Sequence, residues 1–234
     1  MKIKVAISLI LVTALIGMFF YQPANVIAEG TDKEELVVSK ILEDFETNDK
    51  NWTAEGSKYT KEGYPKVKPL VNSWPQALFG RKGDENNKYC LGAKTEYFKM
   101  GYNSLKVKPE NSIEIPGIIK NFYIWVWGAN YSYDMELQIT DYKGISYNLP
   151  VGRLSYLGWK VHEISVPLSI PQLQETLPRI KHLKFDNFTI WSLPGSNLLG
   201  FNVYFDHFTV LTDVANETYD GDDLSSESDE IWSE

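Results

Sequence analysis

One cysteine, Cys90, among 234 residues is too few for a disulfide framework or a Cys-rich metal centre, so the fold must hold by packing alone. Histidine is nearly as scarce. His162, His182 and His207 lie far apart and none belongs to a ligand-spaced motif, which argues against a metal site. No serine sits in a G-x-S-x-G turn, so serine-hydrolase chemistry has no foothold. Helical periodicity is also sparse, with one short candidate at Ile170 to Leu177, between Pro171 and Pro178. No basic stripe with a nucleic-acid motif is present, which excludes nucleic acid as the expected partner.

Apolar content, by contrast, is ample. The chain is 43% hydrophobic and 14% aromatic, enough to bury a sizeable core. At the N-terminus, Lys2 and Lys4 precede an uncharged run from Val5 to Phe20 and a short polar stretch closing in Val26-Ile27-Ala28. That is the pattern of a cleaved export signal, expected to end at Ala28, and it is the only membrane contact the sequence suggests. The protein is therefore expected to work outside the cytoplasm, where Cys90, between Tyr89 and Leu91, is expected to be buried and inert.

Charge is uneven along the chain. Residues 213 to 234 hold nine acidic residues, among them Asp220, Asp222 and Asp223, and no Lys or Arg. The whole chain is at −8, and the body from 29 to 212 comes to −1. A segment so acidic, with few apolar groups, is expected to act as a flexible tail, because it cannot bury enough surface to offset its ordering entropy. The expected organisation is a signal peptide over 1–28, a single domain over 29–212 and this tail.

Within the body the hydrophobic period is mostly two, in short segments bounded by Gly, Pro or Asn, as in strands. Expected strands are Leu36 to Glu46, Ser104 to Lys108, Phe122 to Trp127, Asp134 to Thr140, Ser146 to Leu149, Trp159 to Val166, His182 to Asp186, Phe188 to Trp191 and Phe201 to Leu211. Met135, Leu137 and Ile139 alternate with polar residues, giving one core face and one wet face. Phe122 to Trp127 is apolar on both faces, so its second face needs cover from another segment or another molecule. Asp141-Tyr142-Lys143-Gly144 reads as a reversing turn. The expected fold is all-β, an antiparallel β-sandwich of jelly-roll type.

Thr47 to Lys88 breaks the even spacing, as a long loop insertion with Pro65, Pro69 and Pro75 and a set of basic residues that includes Lys66, Lys68, Arg81 and Lys82. Long insertions of this kind are often functional, and Trp74, Leu78 and Phe79 suggest an ordered loop packed on the body. Trp74 is a candidate interface residue. The basic residues of this loop could meet the acidic tail of a neighbouring copy, joining copies head to tail. Tyr123, Trp125 and Trp127 share one strand face and are either interior packing or an interaction surface.

Four segments resemble the carbohydrate-binding-module jelly roll: Glu43-Asp44-Phe45-Glu46, Gly101 to Val107, Tyr156 to Lys160, and Val203-Tyr204-Phe205-Asp206-His207-Phe208. A narrower match takes in more of the chain. Gly63-Tyr64-Pro65, Ser73 to Gly80, Pro116-Gly117, Trp125 to Tyr131, Asp141 to Gly144, and Val210 to Asp213 with Tyr219 to Leu224 resemble the FlaA family, the flagellar filament outer-layer proteins of spirochaetes. The resemblance covers roughly residues 36 to 224. It implies a periplasmic protein that coats the flagellin core, contacts other sheath proteins and further copies of itself, and contributes to filament stiffness, curvature and cell motility.

Catalysis finds little support. Asp134 and Glu136 share a strand face, as do Asp44 and Glu46, but neither pair belongs to a recognisable glycosidase motif. No catalytic residue, cofactor or metal ligand is expected, although Asp44, Glu46 and Asp206 could approach one another where the first and last strands meet, and there the resembled modules often hold a structural calcium. The competing class is a periplasmic carbohydrate- or peptidoglycan-binding module, with Trp125, Trp127 or Trp159 as a stacking platform.

Overall fold

In a computed structural model, which describes residues 36–78, 87–174 and 181–215, the chain forms twelve strands in two six-stranded sheets. The strands are β1 (Val37–Glu43), β2 (Thr53–Gly56), β3 (Lys66–Asn72), β4 (Tyr89–Thr95), β5 (Ser104–Lys108), β6 (Ile113–Ile115), β7 (Ile118–Ala129), β8 (Tyr133–Thr140), β9 (Ser146–Arg153), β10 (Leu157–Ser165), β11 (Leu183–Ser192) and β12 (Phe201–Asp213). One sheet runs β10-β7-β12-β4-β3 with β1 added to β12, and the other runs β2-β5-β11-β8-β9 with β6 added to β11. Every named strand pairing is antiparallel. The all-β sandwich is thus present.

Alternation determines which side chains meet. In β8, Tyr133, Met135, Leu137 and Ile139 are buried while the residues between them are half-exposed. In β7, Phe122, Ile124 and Val126 point the same way, into one core shared by both sheets. The centre of that core is aromatic. Phe188 of β11 stacks on Trp52 at 6.2 Å and on Phe205 of β12 at 5.1 Å, and it also meets Phe185 at 4.7 Å and Phe208 at 5.2 Å.

Two bulges put those rings in place. Phe185 and Phe188 are three apart, so strict alternation would send one of them outward. The register of β11 against β8 shifts between Phe185 and Asn187, and both rings face the core. The same device recurs in β12, where the register against β7 shifts between Asp206 and Thr209, His207 has φ 48°, and Phe205 and Phe208 are both buried. The first bulge joins the two strands expected at 182–186 and 188–191 into one.

Three further expectations change. Thr47 to Lys88 is not simply irregular, because it contributes β2 to one sheet, β3 to the other and a short 3-10 turn at Gln76–Leu78. β4, absent from the expected strands, is a central strand between β12 and β3. Ile170 closes a turn with Pro167, residues 171–173 are irregular and Gln174 makes an isolated bridge to Lys181, so no helix forms here, and the rest of that candidate lies outside the described residues. The Asp141 turn is present: Asp141 Oδ1 accepts from the amides of Lys143 at 2.8 Å and Ile145 at 2.9 Å.

Candidate interaction face

The solvent side of the β10-β7-β12-β4-β3 sheet collects most of the candidate residues. Tyr123, Trp125 and Trp127 alternate with the core residues of β7, so they face away from the core, each half-buried. Antiparallel register then assigns their neighbours. Trp127 lies between Trp159 of β10 and Tyr204 of β12, making an aromatic row across three strands, with Trp127 and Tyr204 edge to face at 5.4 Å. Trp125 lies between Val161 and Asp206, and Tyr123 donates its hydroxyl to Glu163 at 3.1 Å. The aromatic set is therefore surface lining rather than interior packing.

The same face continues as a groove of about 400 Å³ lined by Lys66, Lys68, Val71, Gly92, Lys94, Asn202 and Tyr204. Gly92 is needed at its floor, because a Cβ there would stand 2.9 Å from the Tyr204 ring. The groove wall is cationic: Lys66, Lys68 and Lys94 are exposed. Lys66 also leans over the Tyr64 ring, its Nζ 5.2 Å from the centroid.

Of the other loop candidates, Trp74 is half-buried and lines a cavity of about 640 Å³ with Asn72, Ser73 and Gln76. Leu78 is a correction to the sequence reading: it is fully buried, so it anchors its segment and offers nothing to a partner. Phe79, Arg81, Lys82, Asp220, Asp222 and Asp223 lie outside the described residues. An apolar loop of Phe98, Met100 and Tyr102, all more than 60% exposed, adds a patch that no local sequence pattern marks. Buried Asn103 holds it in shape by donating to the carbonyls of Lys99 and Gly101.

The carboxylate pairs have structural partners. Asp134 pairs with Arg153 at 3.0 Å, and Glu136 accepts from Trp191 Nε1 at 2.9 Å. Glu46 accepts from the amides of Lys88 at 2.7 Å and Tyr89 at 2.9 Å. Asp206 is fully buried and accepts from Asn87 Nδ2 at 3.3 Å, and its Oδ1 has no hydrogen-bond partner among the described residues. Burial is the main force pushing the Asp206 carboxyl up to about 8; hydrogen bonds from Asn87 and the His207 amide oppose it, and repulsion from Glu46 and Asp44 adds a smaller upward push. Among the described residues no group of three Asp, Glu, His or Cys is arranged to hold a metal ion.

Cys90 is buried beneath this region, and burial, with the charges of Asp206 and Glu46, pushes its thiol up to about 12. The folded protein should therefore react with a thiol reagent at least tenfold more slowly than the same protein in denaturant. Rapid labelling of the native protein, or a disulfide-linked dimer on a non-reducing gel, would contradict this.

Comparison with known proteins places this geometry in context. A carbohydrate-binding module from the β-sandwich superfamily superposes with a TM-score of 0.45 at 10% identity, covering 68% of this chain, which spans only 56% of that structure's length. The family 11 carbohydrate-binding module of a Clostridium thermocellum cellulosomal cellulase gives 0.41 at 14% identity, over 75% of this chain and 95% of the other. Sequence relationship is more direct. A flagellar filament outer layer-like protein of Brachyspira hyodysenteriae is 29% identical over 189 residues, covering 81% of this chain and 85% of that protein. The family profile described as flagellar filament outer layer protein FlaA matches residues 28–220, and the chain belongs to that family.

Proposed function

We propose that this protein is a non-catalytic structural subunit of the outer layer of a periplasmic flagellar filament, packing on the flagellin core or on other sheath proteins and adding to filament stiffness, curvature and motility. Export by the N-terminal leader would deliver it to the periplasm. The observation that carries this reading is the surface row of Trp159, Trp127 and Tyr204, flanked by Trp125, on a chain of the filament outer-layer family. Half-buried aromatic rings on a rigid sheet supply contact area at little entropic cost, and such residues dominate interface energetics. The exposed tip of Phe98, Met100 and Tyr102 offers a second apolar contact.

Co-sedimentation with purified filaments tests this. The native protein should pellet with filaments, and the Trp125→Ala/Trp127→Ala variant should bind at least tenfold more weakly at an unchanged circular dichroism spectrum, since hot-spot rings each contribute about 2 kcal/mol. Native protein that stays in the supernatant would refute the reading. The alternative is saccharide binding with Trp125, Trp127 or Trp159 as the stacking platform; Tyr204, at 80° to Trp127, would not extend it as a coplanar ring. Binding to a glycan panel without filament association would favour that alternative instead.

A further inference from the structure

The lysine groove has a property that the folding of one chain does not explain. Lys66 and Lys94 are directly opposite each other across β3 and β4, and Lys68 is opposite Gly92. Like charges in such a pair repel and destabilise the sheet. Several other cations have ion-pair partners: Lys50 with Glu43, Lys61 with Glu96, Lys108 with Glu55 and Arg153 with Asp134. No ion pair forms on Lys66, Lys68 or Lys94 among the described residues. Three exposed ammonium groups without a direct ion pair among the described residues therefore surround a groove with an aromatic wall, Tyr204, and a glycine floor.

A chemically matching ligand is encoded in the same chain. Residues 216–234 hold eight acidic side chains and no Lys or Arg, with Ile231-Trp232 as an apolar pair among them. The family match stops at residue 220, so most of this segment lies beyond it. It follows the Asp213 end of β12, whereas the groove lies by Asn202 and Tyr204 near the other end of that strand. Nineteen residues reach at most about 65 Å when extended. That is longer than the roughly 40 Å of β12 itself, so the segment can extend beyond its own copy.

Resting on the outer-layer reading, we propose that residues 216–234 of one copy dock in the Lys66–Lys68–Lys94 groove of its neighbour. The acidic side chains neutralise the three ammonium groups, and Trp232 packs against the Tyr204 wall. Because donor segment and acceptor groove are different surfaces, the contact is heterologous and propagates copies in an open row, as a filament layer requires. The lysines set register and orientation, and the ring supplies apolar burial.

Sedimentation velocity on the full-length protein tests the proposal. Association should rise with protein concentration and weaken at least tenfold between about 50 mM and 500 mM salt, because exposed charges are screened over that range. A Lys66→Glu/Lys68→Glu/Lys94→Glu variant and an Asp220→Lys/Asp222→Lys/Asp223→Lys variant should each lose self-association, and mixing the two should restore it. A synthetic 216–234 peptide added to the native protein should break the association; this arm stands even if a variant misfolds. A native protein that is monomeric at every concentration, association that survives the lysine variant, or failure of both the mixture and the peptide would overturn the inference. Filament co-sedimentation of the native protein separates the two ideas: pelleting with a groove-independent self-association retains the outer-layer reading and rejects this one, and no pelleting rejects the former.

Discussion

Replacing Phe188 by alanine should cost about 3–5 kcal/mol, the largest single-residue effect expected in this fold. Its ring touches Trp52, Phe185, Phe205 and Phe208, so it joins rings from both sheets, and all four partners are buried. Removing it leaves a cavity at the centre of a layer that two bulged strands have been bent to complete, and the flanking β-strands cannot collapse far without breaking register. Since single domains are stable by only about 5–15 kcal/mol, the variant should unfold at markedly lower urea, while Phe188→Leu should lose roughly half as much. A Phe188→Ala midpoint within error of the native one would show that the aromatic layer is not the main source of stability.

The second large effect is a pH dependence centred on Asp206. Its carboxyl is held near 8 in the folded protein, by burial first and then by Glu46 and Asp44, against an ordinary value of 3.8. Between about pH 4 and pH 8 the unfolded chain has released this proton and the folded chain still holds it, so the folded state binds more protons and stability falls as pH rises. At about 1.4 kcal/mol per unit, the loss by neutral pH is on the order of 4 kcal/mol. Asp206→Asn removes the titration, so it should flatten stability against pH over this window and raise the neutral-pH midpoint. Asp141 acts in the opposite sense: burial opposes ionisation, but the Ile145 and Lys143 amides and the Tyr147 hydroxyl bring it below the usual carboxylate range, so its contribution is lost as pH falls below about 4. Thermal melts from pH 4 to 9 decide the matter. A native protein whose melting temperature is flat from pH 5 to 8, or an Asp206→Asn variant that keeps the native slope, would contradict the assignment.

These two effects show where local sequence patterns inform and where they stop. Alternation in Asp134 to Thr140 and the paired Asp and Gly of the 141–144 turn are local signals, and both elements form as they indicate. β4 was not visible because Gly92 and Ala93 read as weak strand formers; Gly92 is required only because a ring from β12, more than one hundred residues later, lies on it. The single strand β11 read as two because a bulge at Asp186 resets the alternation that marks a strand.

For the candidate site the division is sharper. Trp125 and Trp127 were identifiable as one face of a strand, yet nothing local could say which face was inside, since Phe122, Ile124 and Val126 are equally apolar. Lys94 and Lys66 are 28 residues apart and meet only through the pairing of β3 with β4, so no local pattern joins them. Asp206 looked like one more acidic strand residue, and its burial depends on surrounding segments, with Asn87 as its hydrogen-bond partner. Composition and period by themselves determined that this chain must be a strand-built body without disulfides and with an acidic C-terminal segment, because those properties depend on residue types and neighbours along the chain. Only the tertiary structure decided which aromatic face meets solvent, which lysines confront one another and which carboxyl is stripped of water, because each of these is a property of register and burial between segments far apart in sequence.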